Sequence, residues 1–149
     1  MKRTKKKHAI TILFLSYLAV LLRITVFRSG FGTHGFCRDG VVNPDLFAEY
    51  IPLIRTHDWD RFLYLFAGNI VWFMPLGVYV RYRRAERGVL RAAVFGFALS
   101  LLIEAMQYVF GTGISELDDL ILNTAGAALG ALLYMERKQN CGRESRGGS

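Results

Sequence analysis

What this sequence lacks narrows its function before any motif is read. Only two cysteines, Cys37 and Cys141, occur in 149 residues, so there is no disulfide framework. No paired-cysteine or histidine spacing suggests a zinc module. The few glycine clusters follow no strand, which excludes a phosphate-cradling loop. No repeat recurs along the chain. Charge is also missing from long stretches, although 21% of all residues are charged. A soluble helical domain would spread that charge along one face of every helix. Here it is gathered between apolar runs, the pattern of membrane spans with charged connections.

Four such runs stand out, each near the roughly 20 residues that cross a bilayer core. They cover about residues 9–27, 62–80, 89–110 and 117–135. A basic segment, 1–8, precedes them, and a polar, glycine-rich tail, 136–149, with disordered composition, follows. The first run has the basic flank of a signal peptide, but no small-residue cleavage site follows at Arg28-Ser29-Gly30-Phe31, so an uncleaved anchor is expected. Pro75 lies inside the second run and should kink it by freeing a carbonyl near Val71. Between runs one and two, the apolar stretch 46–54 is too short to span and reads as a re-entrant or interfacial segment, with Trp59 and Tyr64 at headgroup level. The expected fold is therefore an all-α membrane protein, a bundle of four transmembrane helices.

Orientation follows from lysine and arginine. The N-terminal segment holds five, the 81–91 link five and the C-terminal tail four; the longer Arg28–Arg61 segment holds four, and 111–116 none. The positive-inside rule places both termini and the 81–91 link in the cytoplasm. Cys37 and Cys141 then lie on opposite sides and cannot pair. The net charge of +7 is accounted for by topology and anionic lipid, so no nucleic-acid partner is implied.

With that orientation, the embedded polar residues share one layer. At about 1.5 Å of rise per residue, Glu104 lies about 9 Å below the outer end of its span, Asn69 roughly 12 Å and Arg23 about 6 Å. Gln107 is a turn nearer the surface than Glu104. Asp118 and Asp119 stand at the mouth of the fourth span, with Asn123 a turn deeper. Glu104 and Gln107 share a face, at the end of the small-residue row Ala92, Gly96, Ser100. Asp119, Asn123, Ala127 and Ala131 form a similar row beside Gly126-x-x-x-Gly130, and such rows allow close helix packing. Spans three and four should pair as an antiparallel hairpin, with Glu104 and Gln107 opposite Asp119 and Asn123.

Each residue also has a structural explanation. Asp118 and Asp119 complement a helix N-terminus, and Asn69, Gln107 and Asn123 suit interhelical hydrogen bonding. Arg23 can snorkel outward or pair with Glu104. Glu104 is the hardest to explain structurally, because a carboxylate at that depth must be paired, wetted or neutral.

Three of these stretches resemble the VanZ-like family of membrane proteins. Asn69-Ile70-Val71-Trp72-Phe73-Met74-Pro75-Leu76-Gly77 resembles its N-x-x-x-F-x-P-x-G segment, and Glu104 with Gln107 its E-x-x-Q helix. Asp118-Asp119-Leu120-Ile121-Leu122-Asn123-Thr124-Ala125-Gly126 resembles its D-D-x-x-x-N-x-x-G helix. Tyr50-Ile51-Pro52-Leu53 departs from the family's N-L-I-P-F, with Tyr50 and Leu53 in place of the usual residues. The resemblance covers about 9–135. It implies a protein of the cell envelope and plasma membrane, associated with low-level teicoplanin-type glycopeptide resistance, and carries no reaction with it.

The expected site comprises Arg23, Asn69, Glu104, Gln107, Asp118, Asp119 and Asn123, an outer-leaflet pocket for a lipid-linked or lipopeptide-like headgroup. Glu104, Asp119 and Asn123 would meet its amide, amine or hydroxyl groups, and Arg23 or Arg55 a phosphate. The expected partners are membrane lipids, a lipid-linked envelope precursor or lipoglycopeptide, and a second copy in a homo-oligomer. No cofactor or metal is expected. Two alternatives remain open: an intramembrane hydrolase or transferase acting on a lipid-linked phosphate, with Glu104 as base or acid and the aspartates on a divalent cation, and a scaffold.

Overall fold

The computed structural model describes residues 2–27, 41–83 and 88–144, with side chains over 4–27, 41–83 and 88–135. The expectations for 28–40, for the centre of the 81–91 link, for the Cys37 and Cys141 side chains and for 145–149 lie outside the described residues. Helices dominate: α1 (Lys2–Thr25), α2 (Tyr50–Arg55), α3 (Trp59–Arg83), α4 (Gly88–Phe110) and α5 (Leu117–Glu144), with short strands β1 (Val41–Asn43) and β2 (Ile114–Glu116). The chain forms two compact units, one of Met1–Asp45 and Leu101–Leu117, the other of Leu46–Ser100 and Asp118–Ser149.

In the first unit, α1 forms over a run without glycine or proline. Its outward face is apolar, with Ile12, Leu13, Leu15, Val20 and Ile24 exposed, while Leu21 and Val26 are fully buried. The helix closes where the N–H groups of Val26 and Phe27 both donate to Leu22 O. The exposed Arg23 guanidinium donates to Phe27 O, placing a cation at the helix's negative end. At the end of α4, Gly111 adopts φ 60°, the left-handed turn that lets the Thr112 N–H fold back onto Gln107 O at 3.1 Å. The chain then enters β2, which pairs in parallel with β1, Val42 opposite Ser115 and Asn43 opposite Glu116. An Asn43 Nδ2 donation to Glu116 Oε1 at 3.2 Å secures that register.

The second unit contains α2, α3, the first part of α4 and α5. α2 has six residues, bracketed by two bulky residues in the left-handed region, Phe47 (φ 59°) and His57 (φ 57°). Tyr50 meets Phe62 and Phe66 edge-on, and those two rings stack at 5.4 Å. α3 runs unbroken through Pro75. Glycines set its packing: a Cβ at Gly126 would overlap Ile70 O, one at Gly130 Met74 O, and one at Gly77 Ala127 O. The backbones of α3 and α5 therefore touch along two turns. Gly96 of α4 faces Ala127 Cβ in the same way.

Three helical segments are long and apolar enough to cross a membrane: Thr4–Thr25, Trp59–Arg83 and Gly88–Phe110. These match the first three expected spans, with the first two helices longer than expected. α5 is less apolar, since it carries Asp118, Asp119, Asn123 and small residues where α3 and α4 pack on it. Its helix also continues to Glu144, through positions whose composition suggested disorder.

Candidate functional site

The polar residues singled out above fall into two groups, one in each unit. In the second unit a short chain of hydrogen bonds links α3, α4 and α5. Asn69 Nδ2 donates to Asp119 Oδ1. Ser100 Oγ donates to the Asp119 carbonyl at 3.3 Å, and Asn123 Nδ2 donates to Ser100 Oγ at 2.8 Å. Ser100 has one proton; giving it to the Asp119 carbonyl leaves only lone pairs to meet Asn123. That fixes the Asn123 amide with nitrogen toward Ser100 and Oδ1 away. Asn123 is 4% exposed, yet Oδ1 has no partner among the described residues.

Asp118, the preceding acidic residue, points elsewhere. Its Oδ2 accepts the Phe47 N–H at 2.8 Å, which holds the left-handed turn leading into α2. Its Oδ1 is buried and has no partner among the described residues. Asp118 thus does more than complement the helix end.

In the first unit, Glu104 Oε2 accepts the Glu116 N–H at 3.0 Å, while Ser115 Oγ donates to Glu104 O at 2.8 Å. A carboxylate expected to be costly in lipid therefore meets the backbone of β2. Gln107 Nε2 donates to Thr25 O at 3.3 Å, tying α4 to the end of α1, and its Oε1 is a third buried oxygen without a partner among the described residues. Arg23 is exposed and bonds within its own helix end. Arg55, the other cation considered for a phosphate, is exposed at the end of α2.

The structure thus brings together Asn69, Asp119 and Asn123, with Ser100 at their centre. Glu104 and Gln107 have local partners in the other unit. Asn43, Ser115 and Glu116 were missed as partners; the signal was slight, a Ser-Glu pair in an otherwise apolar and glycine-containing link. No cluster of three or more histidine, cysteine, aspartate or glutamate side chains poised for a metal occurs among the described residues.

No solved structure resembles the chain closely enough to compare. Protein VanZ of Enterococcus faecium is 36% identical over 66 residues, 44% of this chain and 41% of that protein, so the chain matches well under half of that relative's length. The VanZ/LLP1 family model matches residues 14–138, from within α1 to the far part of α5, and includes every polar residue described above. With three membrane-compatible helices and that match over most of its length, the chain is a membrane protein and belongs to the VanZ/LLP1 family.

Proposed function

We propose that this protein crosses the plasma membrane four times, with both termini cytoplasmic, and uses an outer-leaflet polar site to bind a lipid-linked or lipopeptide-like headgroup. Through that site it contributes to low-level resistance to teicoplanin-type glycopeptides. The lysine and arginine distribution supports the orientation, and α5, packed by small residues, is the fourth span. The exposed Ile51 and Ile54 of α2 support an interfacial placement for that segment. Antibiotics anchored by a fatty tail would occupy the same layer as the proposed ligand.

Asn123 carries the proposal. A 4%-exposed amide held by its nitrogen, with its oxygen unpartnered, has the form of a site completed by something else. Asn69, Ser100 and Asp119 surround it as the polar side chains of the same network. Glu104 and Gln107 take a holding role: each engages backbone of the first unit, and Glu104 fixes the strand that leads along the chain into Asp118-Asp119. That holding role is the scaffold reading, confined to the two residues whose bonds favour it.

The test is expression in a susceptible host lacking a relative of this protein. Wild-type chain should raise the teicoplanin inhibitory concentration and leave that of a glycopeptide without a fatty tail unchanged. Asp119→Asn and Asn123→Ala should abolish the rise at unchanged membrane abundance. Protection retained by both variants would remove the site. Reporter fusions should place the C-terminus inside; an external C-terminus would reverse the depth argument.

A further inference from the structure

Asn123 is 4% exposed, so the headgroup site proposed above is closed in this structure, and a ligand enters only if an element moves. The long helices are poor candidates. α3 and α5 meet backbone to backbone at Gly126 and Gly130, and Gly96 seats α4 against Ala127. Separating them would open a packed interior. We propose that residues 47–57, α2 with its two flanking turns, form a hinged cover over the end of the cluster at which α3 and α5 begin, latched by Asp118. This rests on the headgroup site and names the element that admits the ligand.

Placement comes from α3 and α5 together. Phe62, Phe66 and Asn69 follow at i, i+4 and i+7 on one face of α3, and Tyr50 meets both rings edge-on. The rings that Tyr50 covers therefore lie two turns and one turn from Asn69. On α5, Asp118 accepts the Phe47 N–H, while the next residue, Asp119, accepts from Asn69. The hinges are Phe47 (φ 59°) and His57 (φ 57°), in a region that bulky side chains rarely occupy. At His57 that conformation closes α2: its N–H donates to Ile54 O at 3.2 Å, and the Asp58 N–H to Leu53 O at 2.9 Å, a cap usually built on glycine. Strain at both ends of one segment is relieved when the segment swings, which narrows the gap between closed and open. The holds are modest. Asp118 grips by one oxygen, its Oδ1 being buried without a partner among the described residues, and the Arg61–Glu49 pair, at 3.6 Å, is solvent-exposed. Tyr50 and Leu53 are buried while Ile51 and Ile54 are exposed, so the cover turns an apolar face outward. The path it opens borders lipid and suits a ligand whose tail stays in the bilayer.

Hydrogen exchange resolved to single amides, on the full chain in lipid nanodiscs, reads the motion. Asp118→Ala should speed exchange roughly tenfold at Tyr50, Ile51, Thr56 and His57 alike, the loss expected for one hydrogen bond to a charged group. Glycine adopts the His57 backbone without strain, so His57→Gly should slow the same amides several-fold. Amides of 69–77 in α3 should keep their wild-type rates in both variants. Acceleration confined to Phe47 and its neighbours would mean a frayed turn and overturns the cover, as does an equal change along α3. A covalent lock then tests gating. In a Cys37→Ser, Cys141→Ser background, Tyr50→Cys with Phe66→Cys lets a reversible bis-thiosulfonate tie α2 to α3. The tied protein should lose teicoplanin binding, and reductant should restore it. Equal binding by tied and reduced protein overturns the gating role and leaves the headgroup site standing. Wild-type chain that neither binds teicoplanin nor protects against it removes the headgroup site, and with it what the cover guards.

Discussion

The two units bury polar side chains by different means. In the first, Glu104 and Gln107 reach to backbone: the Glu116 N–H and the Thr25 carbonyl. In the second, Asn69, Ser100, Asp119 and Asn123 reach mainly to one another, across three helices. A side chain bonded to backbone is replaceable by any group with the same donor or acceptor. A side-chain network that ends on an unpaired acceptor is complete only when something else binds. The same family motifs thus divide into side chains bonded to backbone and side chains bonded mainly to one another.

That contrast breaks most visibly at the glycines of the second unit. Gly126→Ala and Gly130→Ala each drive a methyl group into a backbone carbonyl of α3, which cannot rotate away. Each should cost about 3 kcal/mol or more, at the upper end of overpacking penalties. In detergent, thermal unfolding of either variant should begin far below that of wild type. A change of only a degree or two would mean that α3 and α5 do not touch through their backbones.

The first unit should respond more mildly, and according to chemistry. Glu104→Ala leaves the Glu116 N–H without its acceptor at a site 6% exposed, a loss of about 1–3 kcal/mol. Glu104→Gln keeps an acceptor oxygen and should retain both stability and teicoplanin protection. If Glu104→Gln abolishes protection without lowering Tm, then Glu104 touches ligand and the division drawn above is wrong. Asp119→Asn and Asn123→Ala should show the opposite pattern, with protection lost and Tm changed little.

How much of this was legible in the sequence depends on how local the signal was. The long helices were, because each apolar run announces itself over some twenty residues. Gly126-x-x-x-Gly130 was legible as a packing row, and its backbone partners, Ile70 and Met74, lie inside the Asn69–Gly77 motif. β1 and β2 were not legible. Three residues are too few for alternation to register, and a parallel partner lies far away along the chain. The role of Asp118 was hidden for a related reason: its partner is the backbone N–H of Phe47, and a backbone group leaves no mark on residue type. For Glu104 the residue types offered Arg23, a side chain, as a partner, whereas its Oε2 accepts the Glu116 N–H, again a backbone group.

Gly68 offers the smallest test and the cleanest control. It lies in the interior of α3, like Gly77 on the same helix, yet a Cβ there would meet nothing within 4 Å. Nothing steric therefore opposes Gly68→Ala, and the backbone entropy that glycine forfeits on folding should be recovered. The expected change is a gain of about 0.5–1 kcal/mol, seen as a small rise in Tm with teicoplanin protection unaltered. Set beside Gly126→Ala, the identical chemical change would then have opposite signs at two helix-interior glycines, and only contact distinguishes them. A loss of stability at Gly68 would mean that its side of α3 is covered by a neighbour, such as a second copy of the chain.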